Sequence, residues 1–193
     1  MKKNQLFVVG VLALVSAVSS AGVVNGSFEN GLDGWTDWGS SGVLVTGDGS
    51  SGTQCAALQN LGNKVQQQIS GPLAIGQTYT LTLDLKNPLP AGNGNVVVKT
   101  VMFAQNSGWD IIAADEYWIS VASGSGWVSS TSQSDISFVM PTNAAWFFVE
   151  CSLQLNENNA GVRLDNFQVA VTPEPMTMSL LGLGGMALIR RRK

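Results

Sequence analysis

Three groups of residues in this sequence have types and spacings that could do chemistry. The first is the run Trp146-Phe147-Phe148-Val149-Glu150, where an alternation of period two places Trp146, Phe148 and Glu150 on one strand face, with Ser152 and Gln154 continuing it. Aromatic planes stack on the C–H faces of sugars, and carboxylates and amides hydrogen-bond to their hydroxyls. This face is therefore a candidate ligand platform, while Phe147, Val149, Cys151, Leu153 and Leu155 are expected to point inward. Trp109, Tyr117, Trp118 and Trp127 occupy loop or strand-end positions from which they could rim a cleft. The second group centres on Asp165, which period two places on the same face as Phe167, Val169 and Val171. A carboxylate on a core face is costly unless it is paired, hydrogen-bonded or metal-bound. Asp165 either caps backbone amides, pairs with Arg163 or holds an ion. The third group is Cys55 and Cys151, the only two cysteines. An even pair in an oxidising compartment suggests a disulfide, whereas two apolar strand positions equally suit two buried free thiols.

Other chemistries are poorly served. The chain has no histidine, which removes Ser-His-Asp and Cys-His nucleophile systems and imidazole-based zinc sites. Two carboxylates could hydrolyse a glycoside, but the acids are scattered and give that reaction no support. No glycine-rich phosphate loop follows a strand. Catalysis is not expected, and a glycoside hydrolase-related enzyme is only a distant alternative.

The elements that must carry these residues read as strands. "QTYTLTLDLK" alternates Tyr79, Leu81, Leu83 and Leu85 against Thr80, Thr82, Asp84 and Lys86, and "SDISFVMP" buries Ile136, Phe138 and Met140. "NPLPAGNGN" and "ASGSG" are turn chemistry. No sustained helical period appears. Many short strands at such spacing predict an all-β sandwich over residues 22–171, large enough to bury roughly 70% of the unfolded chain's surface. That body carries four basic residues, Lys64, Lys86, Lys99 and Arg163, against twelve acidic ones, a net of −8. That balance is a poor match for a phosphate backbone, so nucleic acid is not expected as a partner.

The two ends read as targeting segments. Lys2 and Lys3, the apolar run Leu6 to Val18, and small side chains at Ser19 and Ala21 predict a signal peptide over 1–21. At the other end, Pro173-Glu174-Pro175 precedes an uncharged stretch at 176–189 and the basic residues Arg190, Arg191, Arg192 and Lys193. As a helix those fourteen residues span about 21 Å, short of the ~30 Å hydrocarbon layer. The span suits a temporary membrane stop, with the basic tail in the cytoplasm and the proline joint accessible outside.

Two resemblances follow from these residues. Residues 172–193 resemble the PEP-CTERM sorting signal, with Pro173, Glu174 and Pro175 as its motif and Arg190, Arg191 and Arg192 as its basic cluster. The resemblance implies export by signal peptidase, a transient membrane anchor, recognition by an exosortase, and delivery to the cell surface or extracellular matrix of a Gram-negative bacterium. The body, through "NGSFENGLDGW", "SGTQCAAL", "GWVSS" and "VRLDNFQV", resembles the carbohydrate-binding modules of families 4 and 9, which are galactose-binding-like jelly rolls. That resemblance implies a non-catalytic domain and a structural calcium ion held by Asp165 and Glu29, with Asp48 a further candidate ligand. The expected function is a matrix-associated surface protein that binds extracellular polysaccharide through Trp146, Phe148 and Glu150. A structural or adhesive surface protein without specific sugar binding is the alternative.

Overall fold

The computed structural model describes residues 22–38, 43–159 and 161–172. The expected signal peptide, the proline-bounded joint and the apolar tail lie outside those residues. Among the described residues no helix is long and apolar enough to cross a membrane.

Among the described residues eleven strands run in chain order as β1 (Thr36–Trp38), β2 (Leu44–Gly47), β3 (Gln54–Leu58), β4 (Lys64–Gln68), β5 (Thr78–Lys86), β6 (Asn95–Gln105), β7 (Ile111–Ala122), β8 (Val128–Ser129), β9 (Ile136–Val139), β10 (Trp146–Asn156) and β11 (Val162–Thr172). They form two wholly antiparallel sheets, a five-stranded one in the order β1-β4-β10-β6-β7 and a six-stranded one in the order β2-β3-β11-β5-β8, with β9 also on β5. This is the expected all-β sandwich, with strand order of the jelly-roll kind.

The core lies between the sheets and follows the alternation read from sequence. In β5, Tyr79, Leu81, Leu83 and Leu85 are buried, and Ile136, Phe138 and Met140 meet them from β9 and just beyond it. Phe147 of β10 stacks on Phe138 at 5.5 Å and tilts against Tyr79 at 4.9 Å. The Tyr79 hydroxyl accepts a hydrogen bond from the Ala74 amide, so its polar end is satisfied under burial.

Two irregularities overturn details of that alternation. β10 slips register between Leu153 and Leu155. The extra residue carries Leu155 out to 42% exposure, not inward as expected. β11 slips between Asp165 and Gln168, where Asn166 takes φ +52°. Leu164 and Phe167 therefore both reach the core, while Asp165 pairs across from Asp84 on the opposite face of the sheet. Asp165 is fully buried, though not among the apolar side chains where strict alternation put it.

The first segment closes the sandwich. The Phe167 amide donates to the Gly26 carbonyl, and a side chain at Gly26 would meet the Phe167 carbonyl oxygen at 2.2 Å. Only glycine permits that approach. Phe28, Trp35 and Phe167 then interlock with centroids 4.7–5.8 Å apart.

Candidate functional site

The outer face of the five-stranded sheet collects the sequence-predicted platform. Strand register places Phe148 between Gln68 of β4 and Phe103 of β6, Glu150 between Gln66 and Val101, and Ser152 between Lys64 and Lys99. Across β6, Lys99 faces Trp118, Val101 faces Glu116 and Phe103 faces Ala114 on β7. Strand alternation thus builds one continuous surface with an apolar end and a polar end.

At the apolar end Phe103 and Phe148 stack in parallel, 5.0 Å between centroids, and each is only 8% exposed. Trp146 packs against them, half-buried, with its indole N–H buried and without a partner. Trp109, in the β6–β7 hairpin, stacks on Trp146 at 5.1 Å with ring planes 10° apart and is 60% exposed. Trp146 and Phe148 thus share the outward face, as expected, but neighbours cover most of Phe148. Among the described residues, the large rings most open to solvent on this face are Trp109 and, further along, Trp118 at 57%.

Trp109 adopts φ +70°, a left-handed conformation that costs an ordinary L-residue roughly 1–2 kcal/mol. Asn106 imposes it. Its Oδ1 accepts hydrogen bonds from the amides of Gly108 and Asp110, and its Nδ2 donates to the Asp110 carboxylate. The Asn106 amide also donates to the Asp110 carbonyl, and the Trp109 amide to the Asn106 carbonyl. An Asn-x-Gly run is the sequence signal for such a turn, and it identifies Trp109 as a held residue.

At the polar end Lys64 donates to Glu150 at 2.9 Å and Lys99 to Glu116 at 3.1 Å. Charge here is matched in pairs, and Glu150, expected to accept hydroxyl hydrogen bonds, already carries an ammonium partner. Gln154 donates to the Ser152 hydroxyl at 2.9 Å. The surface offers hydroxyls, amides and paired charges beside rings, which is hydrogen-bonding and stacking capacity for an uncharged polyol. Tyr117 and Trp127 are placed elsewhere. The Tyr117 hydroxyl donates to the Ser137 carbonyl and accepts from the Ser137 amide, tying β7 to β9. Trp127 lies beneath the Lys86 ammonium, 5.9 Å from the ring centroid.

The three expected calcium ligands do not converge. Asp165 Oδ2 accepts from the amides of Ser50 and Ser51, at 2.6 and 3.1 Å, with the Ser50 hydroxyl at 3.1 Å, and Oδ1 accepts from the Asn166 amide. Three amides cap the carboxylate, while the single proton of the Ser50 hydroxyl lies nearer Asp84 Oδ2, at 2.7 Å. Glu29 accepts from the amides of Thr53 and Gln54 and from the Thr53 hydroxyl, and these bonds, led by that from the Gln54 amide, hold its pKa below the ordinary value. Asp48, at φ +91°, bridges Lys86 at 2.7 Å and Arg163 at 3.4 Å. Among the described residues no three acidic, Cys or His side chains are grouped to hold a metal. The donor set fits amide capping, one of the roles open to Asp165, and does not fit a calcium cage with its six to eight oxygens. Asp165 and Glu29 hold successive parts of one segment, Ser50 and Ser51 by the first and Thr53 and Gln54 by the second.

Cys55 and Cys151 are free and buried. Cys151 points into the core from the five-stranded sheet. Cys55 lies in the six-stranded sheet with the opposite parity to the core residues Ala56 and Leu58, its sulfur near the Thr46 carbonyl. The two sulfurs face away from a common space, so the disulfide left open by their number is not formed. Pro173, Glu174, Pro175, Arg190, Arg191 and Arg192 lie outside the described residues.

A family model described as "Carbohydrate binding domain", for families 4 and 9, matches residues 20–156. No curated protein matches the sequence. Among solved structures, the CBM22-1 xylan-binding domain of Xyn10C from Paenibacillus barcinonensis is similar at 19% identity and a TM-score of 0.58, over 77% of this chain and 92% of that one. The C-terminal family 22 carbohydrate-binding module of Clostridium thermocellum Xyn10B is similar at 18% identity and a TM-score of 0.54, over 77% and 96%. A cyclase from Fischerella sp. TAU is similar too, at 17% identity and a TM-score of 0.58, over 77% and 95%. At such identities these structures establish the fold alone, and that fold also carries an enzyme.

Proposed function

The chain belongs to the carbohydrate binding domain family 4 and 9, and from that premise we propose that it is an exported, non-catalytic surface protein that binds extracellular polysaccharide on the outer face of its five-stranded sheet. One observation carries this reading. Stacked aromatic pairs, Phe103 with Phe148 and Trp109 with Trp146, adjoin a floor of hydroxyls, amides and lysine–glutamate pairs on the same face. The matched charges on that face and the net −8 of the body favour an uncharged glycan over an acidic one, which the domain's field repels. Each hydroxyl contact exchanges with water and returns a small net gain, so a single site binds weakly and many surface copies compensate by avidity. Export by signal peptidase, transient anchoring through 176–189 and sorting by an exosortase at Pro173-Glu174-Pro175 complete the proposal, with the cell surface or matrix of a Gram-negative bacterium as destination.

The test is affinity electrophoresis of the full chain in mild detergent against neutral and acidic polysaccharides, beside Trp146→Ala. Retardation of the wild type by a neutral polysaccharide, lost in the variant while near-ultraviolet circular dichroism is kept, supports the proposal. Unchanged mobility across all polysaccharides refutes it. That outcome favours the structural or adhesive reading, to which the near-complete burial of Phe103 and Phe148 already lends weight.

A further inference from the structure

We propose that Trp109, rather than Trp146, is the ring on which a sugar stacks, and that the Asn106 hairpin exists to hold it there. This rests on the glycan-binding reading above and deepens it by naming the contacting residue and the ligand's chemistry, a neutral pyranose with an unbroken C–H face.

Of the two parallel indoles, Trp109 is 60% exposed, while Trp146 is half-buried and covered on one face by Trp109 itself. Rings with centroids 5.1 Å apart leave no room for a pyranose between them. Trp109 is the more open indole of the pair, and Trp146 packs also against the Val101, Phe103 and Phe148 cluster.

The backbone supplies the second argument. A bulky L-residue at φ +70° is an outlier, and glycine would satisfy the same turn without strain. The hydrogen bonds of Asn106 to Gly108 and Asp110 over-determine the conformation, as they must if strain is to persist. Strain kept for the sake of an exposed ring, when the neighbouring Gly108 shows that the loop accepts glycine, points to a role outside folding. Packing the ring's inner face on Trp146 also fixes its orientation before a ligand arrives, which lowers the ordering cost of binding.

The surroundings suit a polyol. Gln105, paired between Trp146 and Ile111, brings an amide to the same end of the face. Asp110 presents a carboxylate beside the ring, its one side-chain bond being from Asn106.

The test compares wild type, Trp109→Gly, Trp109→Phe and Asn106→Ala, all as full chains in mild detergent, by thermal unfolding and by affinity electrophoresis against xylan, mixed-linkage β-glucan and galactomannan. Trp109→Gly is expected to unfold no lower than wild type and to bind about tenfold more weakly or not at all. Trp109→Phe is expected to retain part of the retardation, and Asn106→Ala to weaken it with the ring still present. If Trp109→Gly is retarded like the wild type, Trp146 or another ring is the platform and the proposal falls alone. If Trp109→Gly unfolds well below the wild type, the ring is a structural cap over Trp146 and the proposal is overturned. If the wild type itself is retarded by none of the three, the glycan-binding reading fails and takes this inference with it.

Discussion

The Cys151 sulfur lies fully buried 3.3 Å from the Thr100 hydroxyl, and burial pushes its pKa up to about 12 from an ordinary 9.0. The thiolate is the reactive form, so the native protein should resist alkylation there. Cys55 is also raised, chiefly by burial. Iodoacetamide is expected to label neither cysteine in the native protein and both in denaturant, with intact mass unchanged by reductant; a two-dalton gain on reduction would restore the disulfide. The raised pKa sets a sign for pH as well. The folded state keeps a proton that the unfolded chain releases above about pH 9, so stability is lost as pH rises from about 9 to 12. The full difference is roughly 4 kcal/mol, and Cys151→Ala should flatten that alkaline limb. Glu29 has the opposite sign. Its lowered pKa supports folding above the ordinary 4.5, and that support is lost as pH falls from there through the lower folded value, a loss that Glu29→Gln should abolish in acid unfolding curves. The number of cysteines was legible in sequence and their pairing was not. Pairing depends on which face each sulfur takes, and Cys55 sits at a position whose parity only the sheet reveals.

At the scale of elements, the two register slips decide what sequence alternation could and could not deliver. Tyr79, Leu81, Leu83 and Leu85 fell on the core face because β5 keeps a regular ladder over their length. Leu155 and Asp165 did not, since a bulge shifts everything beyond it to the other face, and no residue type announces a bulge at Gln154 or Asn166. The Asp165 displacement matters for the loop it holds. Removing its carboxylate leaves the amides of Ser50, Ser51 and Asn166 without an acceptor. Leaving a buried donor unsatisfied costs about 1–3 kcal/mol, and these three amides are only part-buried, so Asp165→Ala should cost on the order of 3–5 kcal/mol, or roughly 6–20 °C in Tm. The donors are supplied by the protein, so chelator is expected to leave the wild-type unfolding curve unmoved. A fall in Tm with chelator, reversed by calcium, would show that the carboxylates turn from the amides to an ion. The same holds for the face of β10. Its outward alternation was readable, but that Phe148 would be covered by Phe103 requires knowing that β6 is its neighbour.

For the whole molecule, both ends of the chain carry information that the sandwich does not. The glycine and aromatic residues of "NGSFENGLDGW" were conspicuous in sequence because they lock the first segment onto β11, through the Gly26–Phe167 bond and the Phe28–Trp35–Phe167 cluster. β11 then runs to Thr172, and the motif of the proposed sorting signal begins at the next residue, Pro173. Three residues separate the last strand from the apolar span at 176–189. Extended, they reach about 10 Å. On the proposed sorting route a folded sandwich would stand almost on the bilayer while its tail is inserted, and a membrane-embedded processing enzyme would meet Pro173-Glu174-Pro175 with little slack on the domain side. The surface form is expected to lack Met176 to Lys193, shown by intact mass of protein shed or extracted from the cell surface. Glu174→Ala should leave the precursor in the membrane fraction with its basic end intact. Inserting a flexible eight-residue Gly/Ser spacer after Thr172 should preserve or speed cleavage, because it relieves crowding between the sandwich and the bilayer without touching the motif. Recovery of a surface form that still ends in Arg190-Arg191-Arg192-Lys193 would leave the tail as a plain anchor. Slower cleavage on lengthening the joint would mean that the enzyme reads the folded domain together with the motif.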